Sequence, residues 1–224
     1  MKRNPLSVAA DVFHTHFRPA PTIALGIAAD SHFHFNPFGG LRDEELERVL
    51  VPHPRWSQLL DLVRAGQPLL IELCGAKGRG KTTHLKRLYQ LFPQAALQCL
   101  HTGFDPSFLR APLPPLLLID SIHHLSLPQR LQLYRQSHTL ILTTHRSRLW
   151  EYRWAGKASH HFRFRSSDPR RLQSLLENRL RLARKSAEVP IALPTAAIEQ
   201  LIHHFGDDYR GTLQYLYHQY QSQL

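Results

Sequence analysis

Apolar residues recur at two different spacings along the chain, and the spacings predict strands and helices. Short, nearly continuous apolar runs predict buried strands at residues 69–74, 96–101, 116–120 and 138–144, and a partly alternating run predicts a fifth strand at 158–164. Apolar residues three and four positions apart predict helices at 54–65, directly after residue 82 and at 128–136, with a further helical segment after 144. This succession predicts an α/β fold with a three-layer core around a parallel sheet.

From residue 168 onwards the pattern is helical only, with predicted helices starting at 168 and spanning 195–205 and 208–221. We therefore divide the chain into an N-terminal arm (1–53), an α/β core (54–167) and a small all-helical C-terminal lid (168–224). The arm is rich in proline, and it is predicted to be partly irregular with one short acidic helix near 43–50. The segment Asn36-Pro37-Phe38 is predicted to anchor the arm by packing back on the core.

A glycine-rich turn joins the first predicted strand to the helix that follows it. Its residues are Gly75, Ala76, Lys77, Gly78, Arg79, Gly80, Lys81 and Thr82, and Thr83 continues into the helix. This is the phosphate-loop pattern G-x-x-x-x-G-K-[ST] in the strand–loop–helix context that it requires. Glycines let successive backbone N–H groups point inward at phosphate oxygens, and the helix N-terminus adds partial positive charge. The pattern predicts that residues 75–83 bind a nucleotide, with Lys81 on the phosphates and the Thr82 hydroxyl on Mg²⁺.

The predicted strand at 116–120 ends in a carboxylate, Asp120. Since a continuous apolar run is typical of a strand covered on both faces, we expect this strand inside the sheet, beside the phosphate loop. Asp120 is then the Walker B residue and, with Thr82, the predicted metal-binding pair, holding Mg²⁺ directly or through water.

The formal charge is +11 at pH 7, which makes nucleic acid a physically reasonable partner, since a basic surface attracts polyanions. No apolar run approaches the roughly 20 residues that a membrane span needs, and the N-terminus lacks a signal-peptide core. The two cysteines, Cys74 and Cys99, fall in predicted buried strands and are expected to be reduced thiols. The sequence therefore predicts a cytoplasmic protein with no membrane contact.

Together these motifs resemble those of AAA+ ATPases over about residues 54–224, particularly the small transposition regulators, helicase loaders and origin-binding ATPases. The resemblance implies ATP and Mg²⁺ as cofactors, self-assembly, and a protein partner or non-specific nucleic acid. It also implies that the polar end of the fourth strand, Thr143-Thr144-His145, holds a sensor, for which Thr144 is our candidate. Arg210, at the start of the last helix, resembles the sensor-two arginine of the lid. Lys81, Asp120, Thr144 and Arg210 are thus the predicted catalytic residues.

The sequence departs from the family at the position after Asp120, where the family usually has a glutamate that orients the attacking water. Here Ser121 is a poor base at neutral pH. Binding of nucleotide is unaffected, but hydrolysis is left open: His123, Glu72 or His145 serves instead, or the protein is a slow nucleotide switch.

Two sets of arginines also allow alternatives. Family resemblance implies an arginine supplied to the neighbouring subunit by Arg146, Arg148 or Arg153, although a solvated basic face explains each of them equally simply. The first lid helix carries a second set that could hold nucleic-acid phosphates: Arg170, Arg171, Arg179, Arg181, Arg184 and Lys185. Two other functions remain open, a phosphotransferase acting on a small molecule and a nucleic-acid-binding adaptor whose nucleotide is structural.

Overall fold

A five-stranded sheet lies at the centre of the molecule, and all of its neighbouring strands pair in parallel. The computed structural model describes residues 23–25, 32–136, 138–165, 167–188 and 191–223. The strand order is β2-β3-β4-β1-β5, which puts β1, β4 and β3 inside the sheet. The strands are β1 (Leu70–Cys74), β2 (Ala96–Cys99), β3 (Leu116–Asp120), β4 (Thr139–Thr144) and β5 (Ser159–Arg163).

Helices cover both faces of the sheet and form the C-terminal tail. They are α1 (Leu46–Val49), α2 (Trp56–Arg64), α3 (Lys81–Leu91), α4 (Leu127–Arg135), α5 (Leu149–Trp154), α6 (Pro169–Ala183), α7 (Thr195–Phe205) and α8 (Tyr209–Gln221). Short 3₁₀ turns occupy Asp43–Glu45, Pro106–Arg110 and Ile122–His124. The predicted fold class, a three-layer α/β core with a parallel sheet, is confirmed.

Alternation along the strands sends side chains into two separate cores. Ile71 and Leu73 of β1 pack with α2 and α3 on one face, and Leu70 packs with α4 and α5 on the other. Because both faces are covered, the inner strands are mostly apolar, and their polar residues are Glu72 of β1 and residues at the ends of β3 and β4. Cys74 is buried as predicted, whereas Cys99, on the edge strand β2, is exposed.

A third core joins the described part of the arm to the tail helices. Phe33 and Phe38 pack against leucines of α6 and against Tyr220 of α8. Arg179 of α6 donates hydrogen bonds to the carbonyls of Pro37 and Gly39 at 3.1 and 2.9 Å. The anchor at residues 36–38 therefore packs on the helical tail and not on the α/β core as expected, because the apolar stripe of α6 faces it. The division of the chain at residues 54 and 168 stays a prediction.

Candidate functional site

The phosphate-loop sequence forms a tight turn between β1 and α3. Two of its glycines are required by close approaches: a Cβ on Gly75 would overlap the carbonyl oxygen of Phe164, and one on Gly78 would overlap the carboxylate of Asp208. Gly78 also has φ +86°, a conformation that side chains with a Cβ rarely adopt. The loop is thus held between the end of β5 and the start of α8.

Most backbone N–H groups of this loop lack a protein partner. Apart from a hydrogen-bonded turn at Lys77 and Gly78, no protein acceptor is found among the described residues for the N–H groups from residue 76 to residue 83. Unpaired N–H groups at a helix N-terminus favour a bound anion. Lys81 begins α3, is buried, and donates from Nζ to the carbonyl oxygen of Ala76 at 2.8 Å. Burial lowers the pKa of Lys81, and the charge of Asp120 opposes that shift.

Asp120, at the end of β3, accepts hydrogen bonds from two threonines, Thr82 in the first turn of α3 and Thr143 near the end of β4. The Thr82 hydroxyl donates to both of its carboxylate oxygens, at 3.1 and 3.0 Å. The Thr143 hydroxyl donates to Oδ1 at 2.5 Å and accepts the backbone N–H of Ser121 at 2.8 Å. The predicted pair of Thr82 and Asp120 is therefore assembled, and Thr143 is a third member that the sequence analysis did not single out.

A cavity of about 910 Å³ opens over this cluster. Its walls come from three parts of the chain: the arm and α1, the loop and α3, and the start of α8 with α6. Representative lining residues are Val49, Lys81, Asp120, Arg179 and Arg210. The size and the mixture of apolar and cationic lining suit a ligand with a flat ring and several negative charges.

Comparison with solved structures finds similar folds. The chain resembles the crystal structure of Cdc6p from Pyrobaculum aerophilum, with a TM-score of 0.53 and 16% sequence identity. The match covers 81% of this chain and 66% of that chain, so this chain spans just under two thirds of that protein's length. At this identity the likeness shows that the two chains share a fold. No protein-family model and no curated protein matches the sequence.

Within this fold, the two sensor candidates take different places. Arg210 lines the cavity and lies near enough to Lys81 to contribute to lowering its pKa. Thr144 lies on the face of the sheet away from Asp120, and its hydroxyl donates to Glu72 at 3.1 Å. Successive residues of a strand point to opposite faces, so Thr143 and Thr144 cannot both face the phosphate loop. The structure brings Thr143 to the site and leaves Thr144 behind the sheet.

Glu72 is separated from the loop by the sheet. Its fully buried carboxylate receives five donors, from the hydroxyls of Thr144, Ser147 and Tyr152, the backbone N–H of Arg148, and Nδ1 of His161. A carboxylate satisfied in this way is a structural anchor for β4, β5 and α5. Its position does not allow the role of hydrolytic base that the sequence left open.

Three histidines lie at the phosphate end of the cavity, next to Ser121. The His123 ring is 4.2 Å from the ring of His124 and 4.8 Å from that of His145, between ring centroids. Burial lowers the pKa of His123, and no partner for its Nδ1 is found among the described residues. A neutral imidazole with an open nitrogen can accept a proton. Ser121 itself has φ +63°, so its backbone turns sharply away from β3.

The residues at the start of α8 contact the phosphate loop directly. Arg79 forms an ion pair with Asp207, with 2.5 Å between Nη2 and Oδ1, and both side chains are largely shielded from solvent. Asp208 caps α8 by accepting the backbone N–H of Gly211, and the same carboxylate lies over Gly78. A change in the position of α8 must therefore disturb the loop, and the reverse is also true.

His84 ties the loop to the residues just before α2. Its Nδ1 lies 2.8 Å from the carbonyl oxygen of Gly80, and its Nε2 accepts the backbone N–H of His53 at 3.0 Å. Because a carbonyl only accepts and an N–H only donates, the neutral tautomer with a proton on Nδ1 is fixed. Burial lowers the pKa of His84 from 6.5 to about 3, so the ring is neutral at physiological pH.

The arginine sets are only partly available to a partner. Arg148 pairs with buried Glu151, whereas Arg146 and Arg153 are exposed. On α6, Arg171 donates to the carbonyls of Val51 and Pro52, and Arg179 is buried against the arm. The predicted phosphate-binding stripe on the first lid helix is therefore wrong at these two positions, since both side chains are used inside the molecule.

No described helix is long and apolar enough to cross a membrane.

Proposed function

We propose that this chain is an ATP-binding AAA+-like ATPase or slow nucleotide switch. It assembles with copies of itself and recruits or remodels a partner on DNA, in the manner of transposition regulators or helicase loaders. The observation that carries the proposal is the convergence in one cavity of an open row of backbone N–H groups, the Lys81 ammonium and the Thr82–Asp120 pair.

The residues fit a triphosphate with Mg²⁺. A carboxylate and a hydroxyl 3.0 Å apart are oxygen ligands of the kind that Mg²⁺ prefers, and both face the loop. Bound Mg²⁺ neutralises negative charge on phosphate oxygens. Lys81 exchanges the Ala76 carbonyl for a phosphate oxygen, while the loop N–H groups bind the remaining oxygens. Arg210 adds a further positive charge from the lid side of the cavity.

Turnover is proposed to be slow because, in the part of the chain that the structure describes, no carboxylate takes the place of the missing glutamate. Glu72 is behind the sheet, and Ser121 is not basic enough. His123, whose ring lies beside those of His124 and His145, and His145 itself are the candidate proton acceptors that line this end of the cavity. The open Nδ1 of His123 is buried, so it is poorly placed to orient a water on the phosphate, and we expect bound ATP to be cleaved slowly.

The test is to restore the family's residue. Ser121→Glu is expected to raise ATP turnover by roughly 100-fold, the lower end of the usual effect of a positioned base. Ser121→Gln is the matched control, since it has the same length and the same backbone strain without a base. If both variants or neither gains turnover, the explanation from the missing carboxylate is wrong.

Self-assembly is tested separately by sizing the protein in solution with ADP, ATP and a non-hydrolysable analogue, with and without duplex DNA. We expect larger assemblies with the triphosphates than with ADP. An unchanged monomer in every condition contradicts the assembly part of the proposal and leaves nucleotide binding intact.

A further inference from the structure

One face of α5 exposes two tryptophans to solvent. Trp150 and Trp154 are 57% and 60% exposed, and Leu149 is 42% exposed. At about 100° per residue, Leu149, Arg153, Trp150 and Trp154 follow one another around one side of the helix. We call these four residues the α5 face. Large aromatic side chains are rarely left in solvent without a contact partner, so this face calls for an explanation.

The two indole rings are arranged alike. Their planes differ by 23°, and their centroids are 6.3 Å apart. Trp150 and Trp154 therefore present two exposed, nearly parallel ring surfaces close together, on which unpaired bases can stack.

The opposite side of α5 is firmly held. The fully buried Glu151 carboxylate accepts hydrogen bonds from Arg130, at 2.8 Å from both Nε and Nη2, and from Arg148 at 2.6 Å. The Tyr152 hydroxyl donates to Glu72 at 2.7 Å. These buried polar contacts fix the rotation of the helix about its axis, so the exposure of the tryptophans is built into the fold.

Positive charge accompanies the aromatic rings. Arg153 lies between Leu149 and Trp150 around the helix, and Arg146 precedes the helix; both are exposed. Neither guanidinium has an acidic or carbonyl partner in the described ranges of the chain. Flat apolar surfaces next to unpaired arginines are complementary to a ligand that carries both unstacked rings and negative charge.

We propose that the α5 face binds single-stranded nucleic acid. Unpaired bases stack on Trp150 and Trp154, and the phosphates between them contact Arg153 and Arg146.

Other occupants fit this face less well. Duplex DNA hides the faces of its bases from the two tryptophans. A second copy that met this face through its own α5 face would bring its own Arg146 and Arg153 against the same two arginines. A lipid surface needs a longer apolar face than a six-residue helix provides. This binding does not depend on the proposed nucleotide site.

The test uses tryptophan fluorescence, since the chain has three tryptophans and the third, Trp56, is half-buried against His84. Titration of the full chain with a short oligothymidylate, without nucleotide, is expected to quench emission. Trp150→Ala and Trp154→Ala are each expected to weaken binding at least fivefold, the lower end of base-stacking effects. Trp56→Phe is the matched control and is expected to retain both affinity and quenching.

The arginine contribution has its own readout. Each phosphate contact to a single strand adds about 0.7 to the slope of log affinity against log salt, so Arg153→Gln is expected to lower the slope by about that amount. Lys81→Ala, which disables the nucleotide site, is expected to bind oligothymidylate normally, so the two proposals fail independently.

Three results overturn the inference. Equal oligothymidylate affinity in the wild type and the Trp150→Ala/Trp154→Ala double variant shows that the face is not used. Loss of self-association in the double variant, with oligonucleotide binding unchanged, shows that a second copy covers the face. Binding to anionic phospholipid vesicles but not to oligothymidylate shows that the face meets lipid. Circular dichroism of each variant confirms that it is folded.

Discussion

Protonation of His84 is expected to destabilise the chain, because the folded protein holds this ring in its neutral form. Its Nε2 accepts the His53 N–H, so an added proton there would face a donor inside a buried site. The pKa of His84 falls from 6.5 to about 3 by burial. Between these values the unfolded chain binds more protons than the folded chain, and stability therefore falls as the pH falls.

The size of the effect follows from the shift in pKa. The contribution is fully present above about pH 6.5 and is lost progressively towards pH 3. At about 1.4 kcal/mol per pKa unit, the whole window corresponds to about 5 kcal/mol, and the step from pH 7 to pH 5 to about 2 kcal/mol. This is a large part of the 5–15 kcal/mol that is typical of a folded domain.

Urea unfolding at pH 7 and pH 5 measures this difference. His84→Gln is the comparison, because an amide can donate to the Gly80 carbonyl and accept from His53 without titrating. Other histidines whose pKa burial lowers, such as His123 and His138, affect both proteins equally and cancel. The wild type is expected to lose about 2 kcal/mol more than the variant between the two pH values. Equal losses would refute the assignment of the neutral ring to His84.

Two further predictions follow from the contacts around the loop. Thr143→Val removes a hydrogen bond to an ionised carboxylate and is expected to weaken Mg²⁺-dependent ATP binding about tenfold or more, whereas Thr144→Val lowers the free energy of unfolding and leaves the affinity unchanged. Calorimetric titration of both variants with Mg·ATP measures these affinities, and equal affinities would contradict the placement of Thr143 at the site. Gly78→Ala is expected to lower the free energy of unfolding by more than the roughly 1–3 kcal/mol of backbone strain, because its Cβ would overlap the carboxylate of Asp208. The same overlap is expected to lower nucleotide affinity. Gly103→Ala is the control, because Gly103 has φ +80° and open space around an added Cβ, so this variant reports backbone strain without an overlap. Equal losses of stability in the two variants would exclude the overlap with Asp208 as a cause.

Much of the α/β core was predictable because its signals are local. A continuous apolar run specifies a strand covered on both faces, and the glycine spacing after β1 specifies the loop, so the elements β1, α3 and β3 lie within a residue or two of their predicted positions. The meeting of Thr82 with Asp120 followed from parallel strands ending at one edge of the sheet.

Thr143 could have been found from the same sequence. Asp120 shares a face with Leu118, which packs towards α3, and alternation along β4 puts Ile141 and Thr143 on that face as well. Counting two residues from Ile141 therefore selects Thr143 over Thr144. The resemblance to a sensor motif located the end of the strand, but a motif alone does not state which of two adjacent residues faces the site.

The partners of the arm and of the lid arginines were not predictable from local pattern. Phe33 and Phe38 have no periodicity that reveals what they pack against, and their contacts with α6 and α8 span well over a hundred residues of sequence. Arg171 and Arg179 look like surface charges in the sequence, yet backbone carbonyls of the arm accept their hydrogen bonds. Burial lowers the pKa of Arg179 to about 10, which reflects its place inside this interface.

The most direct test of the account is calorimetric titration of Mg·ATP into the wild type, Lys81→Ala and Lys185→Ala. Both variants remove one positive charge, but Lys81 is buried in the phosphate loop, whereas Lys185 is exposed beyond the end of α6. We predict that Lys81→Ala loses at least about tenfold in affinity, as expected for a buried ammonium on phosphate, and that Lys185→Ala binds like the wild type. Equal affinity in all three proteins, or no binding by the wild type, would contradict the assignment of this cavity to a nucleotide.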